Sequence, residues 1–159
     1  MALLTWSMAP TAAQAQAPTD TTWDATKARG KTREINFTTT EGTWTSVDVS
    51  ADGKWIVFDL ASQVYRMPAG GGTAECLTQN SGVASNFHPR ISPDGKSIAF
   101  ISDRKGHLSL WVMDIDGANP KPVALEPAVR FTFPQWTADN QYIIATRMTG
   151  FGTRNLVMF

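Results

Sequence analysis

Short apolar runs alternate along this chain with clusters of turn residues, and a helical period is nowhere sustained over a dozen positions. Three of the runs are versions of one another: Trp55-Ile56-Val57-Phe58, Ser97-Ile98-Ala99-Phe100 and Tyr142-Ile143-Ile144-Ala145. Each is mainly β-branched, aromatic or small, as strands are. Each follows the same kind of polar turn, Ser50-Ala51-Asp52-Gly53-Lys54, Ser92-Pro93-Asp94-Gly95-Lys96 and Thr137-Ala138-Asp139-Asn140-Gln141. The aspartates recur at spacings of 42 and 45 residues, and Val64-Tyr65, Leu110-Trp111 and Leu156-Val157 keep step at 46 and 46. Gly70-Gly71 falls where Asp116-Gly117 falls. A period of this size marks a repeat architecture, which decides the fold.

The middle copy predicts four strands, Pro89 to Ser92, Lys96 to Ser102, His107 to Asp114 and Lys121 to Leu125. Asp94-Gly95 predicts a two-residue hairpin of type I′, with Asp52-Gly53 and Asp139-Asn140 in the same role. Both faces of the inner strands are apolar: Ile98 and Phe100 oppose Ala99 and Ile101, while Leu108, Leu110 and Val112 oppose Trp111 and Met113. Such a strand has neighbours above and below. A sandwich would alternate apolar with polar residues and need not repeat at this period. The expected fold is all-β, an incomplete β-propeller of three four-stranded WD-like blades at about 45–78, 88–125 and 133–159, within a domain of residues 34–159.

The first residues, MALLTWSMAPTAAQAQAPTD, combine a short apolar stretch with Ala13-Gln14-Ala15, the form of a signal-peptidase site. Residues 1–15 read as a trimmed signal peptide or an alanine-rich leader, residues 16–33 as a flexible linker, and the expected location is the periplasm or another exported compartment. Pro10 cuts the apolar run short of the ~20 residues that a membrane span needs. At the other end the third copy reaches Phe159 inside its third strand, which reads as a truncated repeat, while Ile35 to Thr40 predicts an extra leading strand. Three blades without closure leave two faces open, so self-association or marginal stability is expected.

Fourteen basic and fourteen acidic residues give a formal net charge of zero, which offers no general attraction to nucleic acid or anionic lipid. The single cysteine, Cys76, excludes an internal disulfide and any multi-cysteine zinc site, and it reads as a small buried residue.

No catalytic, cofactor or metal residue is assigned. His88 and His107 are the two histidines, and no H-x-H or H-E-x-x-H spacing accompanies them. His88 precedes Pro89 and reads as structural or surface; His107 follows Gly106 at a turn tip and reads as exposed. Gly70-Gly71-Gly72 follows a strand without opening a helix, so it is a turn and not a phosphate loop, and no G-x-S-x-G elbow occurs. Asp103-Arg104, Asp114 and Asp116 suggest a charged cluster whose oxygens suit calcium, against the plainer reading of turn capping. Trp55, Trp111 and Trp136 fall within the strand pattern and read as blade packing, and Trp44 is similar.

The residues Ile91-Ser92-Pro93-Asp94-Gly95-Lys96, Ile98-Ala99-Phe100-Ile101-Ser102-Asp103-Arg104 and Leu110-Trp111-Val112-Met113-Asp114-Ile115-Asp116-Gly117 resemble the TolB-type propeller repeat of bacterial periplasmic proteins. The flanking copies depart from it, with Ala51 and Ala138 in place of proline and Asn140 in place of glycine. That resemblance implies either a TolB-like component that binds cell-envelope proteins or a propeller joined to an exported hydrolase. Arg33 to Ser50 with Ile56 to Leu60 most resembles the N-terminal propeller of exported amidohydrolases, whose catalytic barrel follows it. The expected partners are therefore a protein or peptide at the propeller loops and a missing C-terminal catalytic domain.

Overall fold

The computed structural model describes residues 24–34, 37–43, 45–150 and 152–159. The signal-like segment, Trp44 and residues 35 and 36 of the expected leading strand lie outside the described residues, and Phe37 to Thr40 are not in a strand. Eleven strands are described, β1 (Val47–Val49), β2 (Trp55–Leu60), β3 (Gln63–Pro68), β4 (Glu75–Cys76), β5 (Asn86–Ile91), β6 (Ser97–Ser102), β7 (Ser109–Asp114), β8 (Lys121–Ala124), β9 (Val129–Trp136), β10 (Ile143–Thr149) and β11 (Thr153–Met158). They form three antiparallel sheets in the orders β1-β2-β3-β4, β5-β6-β7-β8 and β11-β10-β9. These are three consecutive blades, two four-stranded and one three-stranded.

The registers superimpose the repeats. Val49, Ile91 and Trp136 pair with Ile56, Ile98 and Ile143. Asp59, Ile101 and Thr146 pair with Val64, Leu110 and Leu156. Strand side chains alternate between faces, so equal register means equal face.

Two apolar clusters follow from that alternation. Val57, Val64 and Leu77 of blade 1 pack on Ile91, Ile98, Phe100, Trp111 and Met113 of blade 2. The opposite face of blade 2, with Ala99, Ile101, Leu110 and Ala124, packs on Val129, Phe131, Ile143 and Ala145 of blade 3. The core therefore lies between sheets, as the apolar pattern on both faces of the middle copy predicts. Phe100, Phe131, Ile98 and Leu110 are fully buried, each stabilising by about 1.5–3 kcal/mol.

The strand-linking turns repeat one hydrogen-bond network. In blade 2, Ser92 Oγ donates to Asp94 Oδ1 (2.6 Å) and accepts the Ser97 N–H (2.9 Å), while Asp94 Oδ1 also accepts the Lys96 N–H (3.1 Å). Ser50, Asp52, Lys54 and Trp55 repeat it in blade 1, and Thr137, Asp139, Gln141 and Tyr142 in blade 3. These turns are not type I′. Positive φ falls on Gly53 (70°), Gly95 (72°) and Asn140 (62°) but on none of the aspartates. The carboxylate bonds the backbone N–H two residues on, as Asx turns do, leaving one left-handed position for glycine or asparagine.

Candidate functional site

The leading strands β5 and β9, each at one edge of its sheet, break register at one place, between Phe87 and Arg90 in β5 and opposite Ile144 and Thr146 in β9. Both breaks hold a residue–proline pair, His88-Pro89 and Phe133-Pro134, which are 45 residues apart. His88 and Phe133 share a φ of 52°, uncommon for residues with side chains and more so before proline, while Pro89 and Pro134 are fully buried. Strand β5 thus begins at Asn86, because the bulge carries it through a proline that would otherwise end its ladder.

The bulges turn two rings toward each other across the blade boundary. His88 stacks on Phe133 with centroids 4.6 Å apart and planes 26° from parallel, and Phe87 lies 6.4 Å from His88. Asp59 of blade 1 fixes this arrangement from the other side. Its Oδ2 accepts the His88 N–H (2.7 Å) and its Oδ1 accepts the Ser46 N–H (2.8 Å). Asp48 does the same for Ile91 (2.8 Å), and Trp136 Nε1 donates to the Arg90 carbonyl (3.0 Å). Burial holds the half-buried His88 imidazole below its ordinary value; the Asp59 carboxylate opposes this and Arg90 reinforces it. Its Nδ1 is buried without a partner.

The charged residues of the middle copy are divided between the two ends of their sheet. Asp103 and Arg104 follow β6, whereas Asp114 ends β7 beside Ser97 at the start of β6. Asp103 Oδ1 accepts the Ser85 N–H (2.8 Å), Asp114 Oδ2 accepts from Asn119 (2.7 Å), and Asp116 Oδ1 accepts the Ala118 N–H (3.0 Å). Asp114 and Asp116 brace the turn after β7, and Asp103 bridges the end of β6 to the residue before β5. No group of three metal-ligating side chains occurs among the described residues, so the calcium alternative has no assembled donor set there.

Arg104 is a packing residue. Its guanidinium lies 4.7 Å from the Trp111 ring and 5.3 Å from Phe100, donates from Nη2 to Asn86 Oδ1 (3.0 Å), and is held below its ordinary pKa by burial. Arg66 plays a related part between blades, lying 4.5 Å over Trp55 and donating to the Ile115 carbonyl (2.9 Å) and to Glu75 (2.8 Å).

The remaining candidates fall into structural places. His107 is half-buried, with Nε2 enclosed, and is not the exposed tip expected of a turn residue. Cys76 is a free thiol in β4 and only half-buried, because it sits in a two-residue outer strand. Gly70 to Gly72 form the β3–β4 turn, with positive φ at Gly71 and Gly72. Trp111 is buried and Trp55 and Trp136 are partly buried against the two clusters, as blade packing requires.

A scan against protein-family models finds none that matches the chain. A tricorn protease homolog of Streptomyces coelicolor is 32% identical over 91 residues, 57% of this chain and 8% of that protein. The Tol-Pal system protein TolB of Wolinella succinogenes is 33% identical over 93 residues, 56% of this chain and 21% of its own length. Among solved structures, TolB from Acinetobacter baumannii superimposes with a TM-score of 0.64 at 22% identity, over 76% of this chain and 31% of that one. A putative TolB from Agrobacterium tumefaciens gives 0.62 at 24%, over 69% and 40%. The chain thus spans well under half of each of these proteins. With the registers and inter-blade clusters above, these likenesses make the three sheets consecutive blades of a TolB-type β-propeller.

Proposed function

We propose that this chain is a non-catalytic propeller scaffold that binds a protein or peptide through its loops, as the N-terminal part of a longer exported hydrolase of amidohydrolase-like organisation. The observation that carries this reading is the use made of the chemically capable side chains. His88, Asp59, Arg66 and Arg104 join blades or pack on rings, so they serve rigidity. Binding on such a platform belongs to its loops. The matched relatives support attachment to hydrolases, since they include a tricorn protease homolog and a lasso peptide isopeptidase of Asticcacaulis excentricus, 27% identical over 108 residues.

The test compares this chain with the longer product of its gene on peptide and amide substrates. The reading expects turnover from the longer product and none from the chain. Turnover by the chain, abolished by His88→Ala or His107→Ala, would overturn it.

The match to Wolinella succinogenes TolB favours a second reading, a periplasmic protein-interaction component of the cell envelope. Sequencing the gene past the codon for Phe159 separates the two. Further blades followed by a metal-ligand-bearing barrel support the hydrolase reading, and further blades alone support the TolB-like one.

A further inference from the structure

We propose that Asp116, in the turn between β7 and β8, is a site of spontaneous isoaspartate formation, a covalent modification that the turns at Asp52 and Asp94 resist. The inference is independent of both functional readings above. Three Asp-Gly pairs occur in the sequence, Asp52-Gly53, Asp94-Gly95 and Asp116-Gly117. Such a pair is open to this reaction because glycine has no Cβ to shield its backbone nitrogen. The glycine nitrogen attacks the aspartate Cγ, the new C–N bond closes a succinimide ring, and the carboxyl hydroxyl leaves with the amide proton as water. Water then adds back and opens the ring. Where it breaks the bond between the aspartate α-carbonyl and the nitrogen, the chain continues through the β-carboxyl as isoaspartate. Nothing is oxidised or reduced, and the composition is unchanged.

The three backbones are alike. Gly53, Gly95 and Gly117 have φ of 70°, 72° and 86°, and their N–H groups donate to the carbonyls of Ser50, Ser92 and Asp114 at 2.8, 2.8 and 2.9 Å. The carboxylates differ. Asp52 Oδ1 and Asp94 Oδ1 each accept a hydroxyl, from Ser50 (2.7 Å) and Ser92 (2.6 Å), together with the N–H of Lys54 or Lys96. Ring closure must break these bonds, and they also keep the carboxyl ionised, whereas the attack proceeds on the neutral acid. With Asp52 lowered from 3.8 to about 2, its neutral fraction falls by more than about tenfold. In the third turn the residue at the place of those serines is Asp114, a carboxylate that has no proton to donate and whose Oδ2 is taken by Asn119. Asp116 Oδ1 accepts the Ala118 N–H (3.0 Å), and among the described residues no hydroxyl reaches it.

The site bears on the blade boundary. The carbonyl of Ile115 accepts Arg66 Nη1 of blade 1 (2.9 Å), and Gly117 lies so close to blade 1 that an added Cβ would be 2.8 Å from the Leu77 carbonyl oxygen. Isoaspartate adds one atom to the backbone between these two contacts, so the modified chain cannot keep both in place.

The experiment ages the full chain at neutral pH, folded and in guanidinium, and measures isoaspartate at each pair by peptide mass spectrometry with electron-transfer fragmentation. In the folded chain Asp116 should convert about tenfold faster than Asp52 or Asp94, and in guanidinium the three should convert at similar rates. This comparison needs no variant. Ser50→Ala, checked for folding by circular dichroism, should speed conversion at Asp52 and leave Asp116 unchanged. Asp116→Glu, whose longer side chain does not close the five-membered ring, should keep its thermal midpoint through an ageing period in which that of the parent falls. Equal conversion at the three pairs of the folded chain, or earlier conversion at Asp52 or Asp94, would overturn the proposal. An unchanged rate at Asp52 in Ser50→Ala would overturn the protection assigned to the serine.

Discussion

His88 and Phe133 occupy the same position of successive blades, 45 residues apart, and their rings stack at 4.6 Å across the blade boundary. The left-handed backbone at each, 52° in φ, places the ring there, and Asp59 of blade 1 holds the His88 N–H in place. One polar side chain thus links the first blade to the contact between the second and third.

Burial of His88 makes stability depend on pH. His88 has a pKa lowered from 6.5, mainly by burial, so between the lowered folded value and 6.5 the unfolded chain binds more protons. Stability therefore rises with pH through that window and falls as pH drops below about 6.5. His88→Phe should flatten this dependence, and Phe133 shows that a phenyl ring tolerates the same backbone. Thermal midpoints between pH 7.5 and 5.5 measure it, and an unchanged slope in the variant would remove His88 as the cause.

Arg104 should be irreplaceable by lysine. Its planar group covers Trp111 while reaching Asn86 Oδ1, and Asn86 is fully buried. Arg104→Ala leaves that oxygen without its donor and uncovers the ring, at a cost of roughly 2–4 kcal/mol. Arg104→Lys should recover less than half, because a point charge cannot both stack and reach. Urea unfolding of the two variants decides this, and equal stability of the lysine variant and the parent would refute it.

Much of this architecture is legible in the sequence for a simple reason: strand alternation is local. Ile98 and Phe100 against Ala99 and Ile101 predict two separate clusters, and the structure contains both. What is not local is hidden. Asp59 bonds a backbone N–H 29 residues away, and nothing in Phe58-Asp59-Leu60 announces it. The charged cluster of the middle copy dissolves for the converse reason, since Asp103 and Asp114 are near in sequence but at opposite ends of a hairpin. The bulges did leave a signal, the recurrence of a residue–proline pair at His88-Pro89 and Phe133-Pro134 in the repeat period.

Two glycines with similar backbones should respond differently to alanine. Gly53 and Gly117 both have positive φ, 70° and 86°. An added Cβ meets nothing at Gly53, but at Gly117 it would lie 2.8 Å from the Leu77 carbonyl oxygen of blade 1. Gly53→Ala should cost about 1 kcal/mol, the backbone penalty alone, and Gly117→Ala distinctly more, since two blades must separate. Equal losses in chemical denaturation would show that the blade contact yields freely.

The repeated turn network allows the same deletion to be made in two settings. Ser92 is 1% exposed, and its hydroxyl both donates to Asp94 and accepts the Ser97 N–H. Ser92→Ala leaves the part-buried Ser97 N–H without its partner, which costs about 1–3 kcal/mol. Thr137 makes the equivalent bonds to Asp139 and Tyr142 at an exposed turn, where water replaces the lost partner. Thr137→Ala should therefore cost less than half as much. The aspartates add an acid limit, because the network lowers Asp52 from 3.8 to about 2, chiefly through the Ser50 hydroxyl, and lowers Asp94 likewise through Ser92. Their contribution is complete above about pH 4 and is lost as pH falls toward 2. Acid titration of Ser92→Ala should accordingly show a shallower loss of stability between pH 4 and 2 than the parent chain. A parallel curve would mean that Asp94 keeps its low pKa without the serine, and that the turn backbone alone supplies it.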